Sequence, residues 1–261
     1  MTSFPKILAA ALVLAAMPAA EAREPAKTFR GEYSISLLGF PVARSSFTST
    51  FREGRFKVQG SLASAGIARI FDSTQGTTSV SWRVSTKAVR PDSYRVDYKS
   101  GGKKKRTSIR FQGNRVAKAE NVPPTRKRRN WIPVSDGDLR AVVDPLSATI
   151  VPADSPAEVC RRTIRVFDGE MRADLALSHV SNGTIAVPGY RGDAVTCRAR
   201  FVPVSGYRKG RSSLEYMKNR SNITIAFAPL GNSGVYVPVH ATVGTKVGTL
   251  TIQARRFEVQ Q

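Results

Sequence analysis

Histidine, cysteine and tryptophan are almost absent from this chain of 261 residues, with two of each. His179 and His240 make no HxxH or HExxH spacing, so a zinc site has no ligand set. No G-x-S-x-G nucleophile elbow occurs; the nearest stretch, "GNSG" at 231–234, reads as a turn. A phosphate-cradling glycine loop is also missing. Acidic residues are scarce, 19 Asp and Glu against 41 Lys and Arg, for a formal net charge of +22. Beyond the N-terminus no run is long and apolar enough to cross a bilayer. These absences leave no recognised catalytic constellation and no cofactor motif, so the expectation is a protein without enzymatic activity, metal or cofactor.

What is present begins with a leader. Lys6 precedes the apolar run "ILAAALVLAAMPAA", which is followed by Ala20-Glu21-Ala22. A short positive region, a modest apolar stretch and an A-x-A site make a secretory signal peptide. Cleavage is expected after Ala22, with export to the periplasm of a Gram-negative cell. No cysteine sits near that site to carry a lipid anchor. Residues 23–261 then form one β-rich domain, with a basic, Pro-rich connection at 121–137 between its halves. The positive excess favours polyanions. Export argues against nucleic acid and leaves anionic lipid, lipopolysaccharide phosphates or other envelope components. Two clusters concentrate the charge: Lys103, Lys104, Lys105 and Arg106 follow Gly101-Gly102 at an expected hairpin tip, and Arg126, Lys127, Arg128 and Arg129 lie beside Trp131. Each reads either as solvated loop charge or as a contact to an anionic surface, where a Trp beside cations suits a membrane interface.

The dominant period along the chain is two. In "EYSISLL", Tyr33, Ile35 and Leu37 alternate with Ser34 and Ser36. A Glu53-Gly54 turn would set Phe51 opposite Phe56 and Ser49 opposite Val58. Further strands are read in "TTSVSWRVST", "YRVDYK", "RTSIRF", "RVAKAE", "AVTCRARFV", "NITIAFA", "GVYVPVHATV" and "GTLTIQARRF". Two helix candidates interrupt them. "AGIARIFD" spans 65–72, and "VDPLSATIV" has Asp144 placed to cap and Pro145 at the first helical position. The expected fold is mostly β: a single antiparallel curved sheet, a half-barrel, with one or two short helices plugging its concave face.

The stretch "CRRTIRVFDGEMRADLALSH", from Cys160 to His179, crowds a thiol, three carboxylates and several arginines together. An Asp168-Gly169 hairpin turn sorts them. Cys160, Ile164, Val166, Met171, Ala173, Leu175 and Leu177 share an apolar face; Arg161, Thr163, Arg165, Arg172 and Asp174 share a charged one. That register sets Arg165 opposite Arg172, with Asp174 diagonal to Arg165. Turn chemistry and surface pairing account for Asp168, Glu170 and Asp174 better than acid–base catalysis does. His179 reads as a strand-end residue, and Arg162 breaks the apolar face without explanation. In "AVTCRARFV" Cys197 also falls on an apolar strand face. A redox thiol would want CxxC spacing or an activating neighbour. An exported pair on buried faces is instead expected to form a Cys160–Cys197 disulfide, worth roughly 3–4 kcal/mol in the loop-entropy model.

"VDPLSA", "CRRTIRVFDGEMRADL" and "YRGDAVTCRARFVPVSGY", with looser support from "GEYSISLLGFPVA" and "SAGIARIFD", resemble the exported bacterial family called domain of unknown function 3108. The resemblance implies a periplasmic β-rich protein related to the half-closed sheets of LolA- and LolB-like lipoprotein carriers, which hold acyl chains in an apolar concavity. The expected function is therefore binding of a hydrophobic or lipidic ligand, or of an envelope component, in support of envelope integrity, by a protein expected to be monomeric. The alternatives are a periplasmic scaffold without a small ligand and, further off, an envelope hydrolase.

Overall fold

The structure is a computed structural model that describes residues 27–52, 55–66, 74–85, 88–127 and 129–260. The expected leader lies outside this range, as do Arg128 and most of the "AGIARIFD" helix candidate.

The first half is a meander of β1 (Lys27–Leu37), β2 (Phe40–Arg52), β3 (Arg55–Ser64), β4 (Gln75–Ser85), β5 (Ala88–Ser100), β6 (Lys103–Gln112) and β7 (Arg115–Val122). Then come β8 (Trp131–Ile132), a single 3-10 turn at Ser147–Thr149, β9 (Val151–Pro152) and helix α1 (Pro156–Val159). The second half holds β10 (Thr163–Phe167), β11 (Arg172–Val187), β12 (Tyr190–Ser205), β13 (Tyr207–Arg208), helix α2 (Ser212–Asn219), β14 (Ile223–Pro229), β15 (Val235–Thr245) and β16 (Gly248–Gln260). One antiparallel sheet runs in the order β10-β11-β12-β14-β15-β16-β1-β2-β3-β4-β5-β6-β7. The first and last strands of the described chain pair at its middle and join the two halves.

The edge strands β7 and β10 do not pair with each other, so the sheet is not closed. Residues 139–143 lie between them. Ala141 N–H donates to Asn114 O and Val116 N–H to Leu139 O on one side, while Val143 N–H donates to Arg165 O and Phe167 N–H to Val143 O on the other. Both edges are thereby covered, which sheet edges need if they are not to recruit other chains. A second tie sits nearby: Asn121 Nδ2 donates to Gly169 O at 2.9 Å, and Asn121 Oδ1 accepts from Thr107 Oγ1 at 2.6 Å. Between β7 and residue 137 the described residues are irregular except at β8, where the chain is pinned by pairing with β13.

Inward-facing residues form two clusters. Val58, Val80, Trp82, Tyr94, Ile109, Val116, Val142 and Phe167 gather under the first half. Val151, Val159, Cys160, Leu177, Val195, Cys197, Ile223 and Phe227 gather under the second. A third, with Ala194, Val239 and Ala254, forms where the β11–β12 hairpin end folds against β16 through Gly189 N–H to Ala254 O.

Two local expectations are corrected. The first hairpin register holds, with Phe51 opposite Phe56 and Ser49 opposite Val58. The Asp168-Gly169 register does not: Arg165 pairs with Asp174 and Ile164 with Leu175, two residues further along. The loop is four residues because Asp168 Oδ1 accepts from the Glu170 and Met171 amides at 2.9 and 2.7 Å. This Asx turn lengthens the connection. A shift of two preserves facing, so the apolar side stays apolar. "VDPLSATIV" likewise gives only the three-residue 3-10 turn, because Val151 is drawn into β9 against Tyr236.

Candidate ligand cavity and its basic rim

The curved sheet encloses a cavity of about 810 Å³. Both halves contribute: Phe47, Phe56, Val58, Trp82, Tyr94, Val96 and Tyr98 from the first, Phe201, Ile223, Ile225, Val237, Val243 and Ile252 from the second. Period-two patterning puts these side chains inward; it is the reason the strands have an apolar side. The volume lies within the ~300–1,000 Å³ usual for small-ligand sites. Among the described residues no Asp, Glu, Lys, Arg or His lines it, and its polar side-chain groups are Ser, Thr and Tyr hydroxyls and the Trp82 indole N–H. Phe56 stacks on Trp82 with centroids 5.5 Å apart. Tyr33 donates to Pro238 O at 3.0 Å, and burial pushes its phenol well above the ordinary range.

Pro145, Leu146, Thr149 and Ile150 also line the cavity, so the expected "DPLSA" plug is present, as a turn rather than a helix. Asp144 holds it. This fully buried carboxylate accepts from the Leu146 and Ser147 amides at 3.0 and 2.9 Å and from Ser147 Oγ at 2.5 Å. Desolvation raises its pKa despite those bonds. The Tyr94 phenol is pushed up to about 12, by burial first and by the nearby Asp144 charge second.

A second hollow, about 590 Å³, adjoins the cavity at one end of the sheet and shares Ser61, Leu62, Gly76, Thr77 and Tyr98 with it. Its outer lining is basic: Lys99, Lys104, Lys105 and Arg106. Lys105 Nζ lies 5.7 Å from the centre of the Tyr98 ring. Asp97 is the acid of this groove. It is paired at 2.6 Å with both Arg95 and Arg106, whose hydrogen bonds hold its carboxyl below the usual range. No described ion pair engages Lys99, Lys104 or Lys105. The Lys103–Arg106 cluster flanks the Gly101-Gly102 turn as expected and is exposed throughout. The second basic cluster is elsewhere. Arg126, Lys127 and Arg129 are exposed but line neither hollow, and Trp131 is half-buried in β8.

Cys160 and Cys197 form a disulfide with Cα atoms 5.5 Å apart, both side chains buried. Glu170 accepts from Thr125, Asp168 builds the turn, and Asp174 pairs with Arg172 at 2.6 Å. Arg162 donates from Nη2 to Glu158 O at 3.1 Å, placing a cation at the C-terminus of α1. His179 is not at a strand end: it sits inside β11 at a bulge and bonds Asn182. Arg172, expected outside, keeps the face it shares with Asp174 but is buried there, with Asp138 and Ser205 beside it.

Residues 32–255 match the family model described as "Protein of unknown function (DUF3108)", and the chain belongs to that family. A crystal structure of a beta-barrel-like protein of the domain of unknown function DUF1849 from Brucella abortus superposes with a TM-score of 0.52 at 6% identity, covering 90% of this chain and 98% of that one. That likeness shows a shared β-barrel-like fold. A Bacteroides fragilis protein with a YmcC-like fold gives a TM-score of 0.32 at 10% identity, covering 89% and 95%. A search of curated proteins found no match.

Proposed function

We propose that this DUF3108 member is an exported, non-enzymatic envelope protein that holds a hydrophobic, lipidic ligand inside its curved sheet. One observation carries the reading: a cavity of about 810 Å³ whose described lining contains no charged side chain. Such a surface rewards burial of alkyl groups at roughly 25 cal/mol per Å² and offers no acid–base pair for catalysis. The leader motif and the disulfide support action outside the cytoplasm.

Native mass spectrometry of the gently purified, disulfide-bonded protein tests it, together with uptake of a fluorescent fatty-acid probe. A co-purifying lipid mass and saturable uptake are expected. Ile225→Trp, which fills the space between the halves, should weaken uptake at least tenfold. A protein that carries no lipid and takes up no probe is a scaffold instead. In the same material the N-terminus should begin at Arg23, and an uncleaved leader would remove the export assignment.

A further inference from the structure

The strand directions bring several turns to one end of the sheet. Leu38-Gly39 between β1 and β2, Gly101-Gly102 between β5 and β6, and Lys246-Val247 between β15 and β16 all lie there, as do the ends of β3 and β7. This is the end where the basic groove meets the cavity. Six large hydrophobic residues are exposed among those described: Leu38, Phe40, Leu62, Val122, Val180 and Val247. Five lie at this end; Val180, within β11, does not. Leu38 rests against Gly248, which brings two neighbouring hairpin tips together, one carrying exposed Leu38 and Phe40 and the other exposed Val247. Around the rim stand exposed Lys99, Lys103, Lys104, Lys105 and Lys246.

We infer that this rim docks on an anionic lipid bilayer, with Leu38, Phe40 and Val247 entering the interface and the lysines meeting lipid phosphates. Apolar tips at the same end as exposed lysines match the two layers a bilayer presents, an acyl boundary beneath negative headgroups. Exposed apolar side chains concentrated at one place mark an interaction surface, whereas scattered ones do not. A bilayer fits better than an acidic protein because the apolar cavity is continuous with this rim, so an acyl chain could pass between them without crossing water. That last step rests on the proposed carrier function; the docking itself does not.

The experiment is flotation of the mature, disulfide-bonded protein with phosphatidylglycerol/phosphatidylcholine vesicles and with pure phosphatidylcholine vesicles. Binding to the anionic vesicles alone is expected, weakening about fivefold for each of Lys104→Gln and Lys105→Gln. Leu38→Ser combined with Phe40→Ser should weaken it by roughly tenfold or more, since these side chains would leave the acyl boundary. Val180→Ser should change nothing. Failure to bind anionic vesicles overturns the inference. So does binding that needs the lysines but ignores Leu38, Phe40 and Val247, which would be adsorption through net charge, as would vesicle-free capture of an acidic protein by the same rim. Probe uptake without vesicles should be unaltered in the Leu38→Ser/Phe40→Ser variant, whose residues line neither hollow, so failure of docking and failure of the carrier reading are told apart.

Discussion

Asp144 is a fully buried carboxyl group at the base of the plug. Its burial raises the carboxyl pKa, so the folded protein keeps the proton to a higher pH than the unfolded chain. Between the unfolded value, about 3.9, and the raised folded value the native state binds more protons, so stability falls as pH rises through that window. Asp144→Asn keeps an acceptor for the Leu146 and Ser147 amides and can donate to Ser147 Oγ. It should flatten the pH dependence of urea unfolding in this range without loss at neutral pH. Asp144→Ala strands the buried Ser147 amide and should cost about 1–3 kcal/mol. Equal damage from both substitutions at neutral pH would mean that the ionised carboxylate is required. The sequence pointed to Asp144 as a capping residue, and it caps. It did not show that the cap serves one turn lining a cavity, because that depends on Val151 being captured by β15.

At the level of elements, the Asp168 turn shows where sequence reading stops. Alternation fixed which side of β10 and β11 is apolar, since facing survives a shift of two. It could not count the loop, because Asp168 binding two amides is a local alternative to a tight hairpin. The gain is a joint. Gly169 has φ +99°, and a Cβ there would lie 2.3 Å from Thr107 Cγ2. Gly169→Ala is thus both strained and obstructed, and a loss of 2 kcal/mol or more, on the order of a strained backbone plus a steric clash, is expected in chemical denaturation. Asn121→Ala should cost about 1–2 kcal/mol and speed hydrogen exchange in β7 and β10 while leaving the Cys160–Cys197 disulfide intact. Unchanged exchange at both edges would show that residues 139–143 hold the joint alone. Asn121 carries no signal in sequence: its partner is 48 residues away.

For the molecule as a whole, the period-two pattern, turn residues and cysteine faces made an antiparallel half-barrel with a buried disulfide legible. The cavity was legible only as a one-sided sheet, since its volume depends on how far the sheet curls. The apolar tips were not legible as one patch, because Leu38 comes against Gly248, next to Val247, only after β1 pairs with β16. That pairing has a consequence for stability. The first-half cluster around Trp82 includes Phe167 from β10, and the cavity wall draws on both halves, so neither half can bury its apolar face alone. Residues 27–260 should then unfold as one cooperative unit. Tryptophan fluorescence, dominated by buried Trp82, and far-UV circular dichroism should give superimposable urea transitions in the oxidised protein. Reducing the disulfide should move both midpoints down together, by about 3–4 kcal/mol of stability, rather than melting the second half first. Two separated transitions would divide the chain into independent units at the 121–137 connection, and the cavity between them would then be an interface able to open.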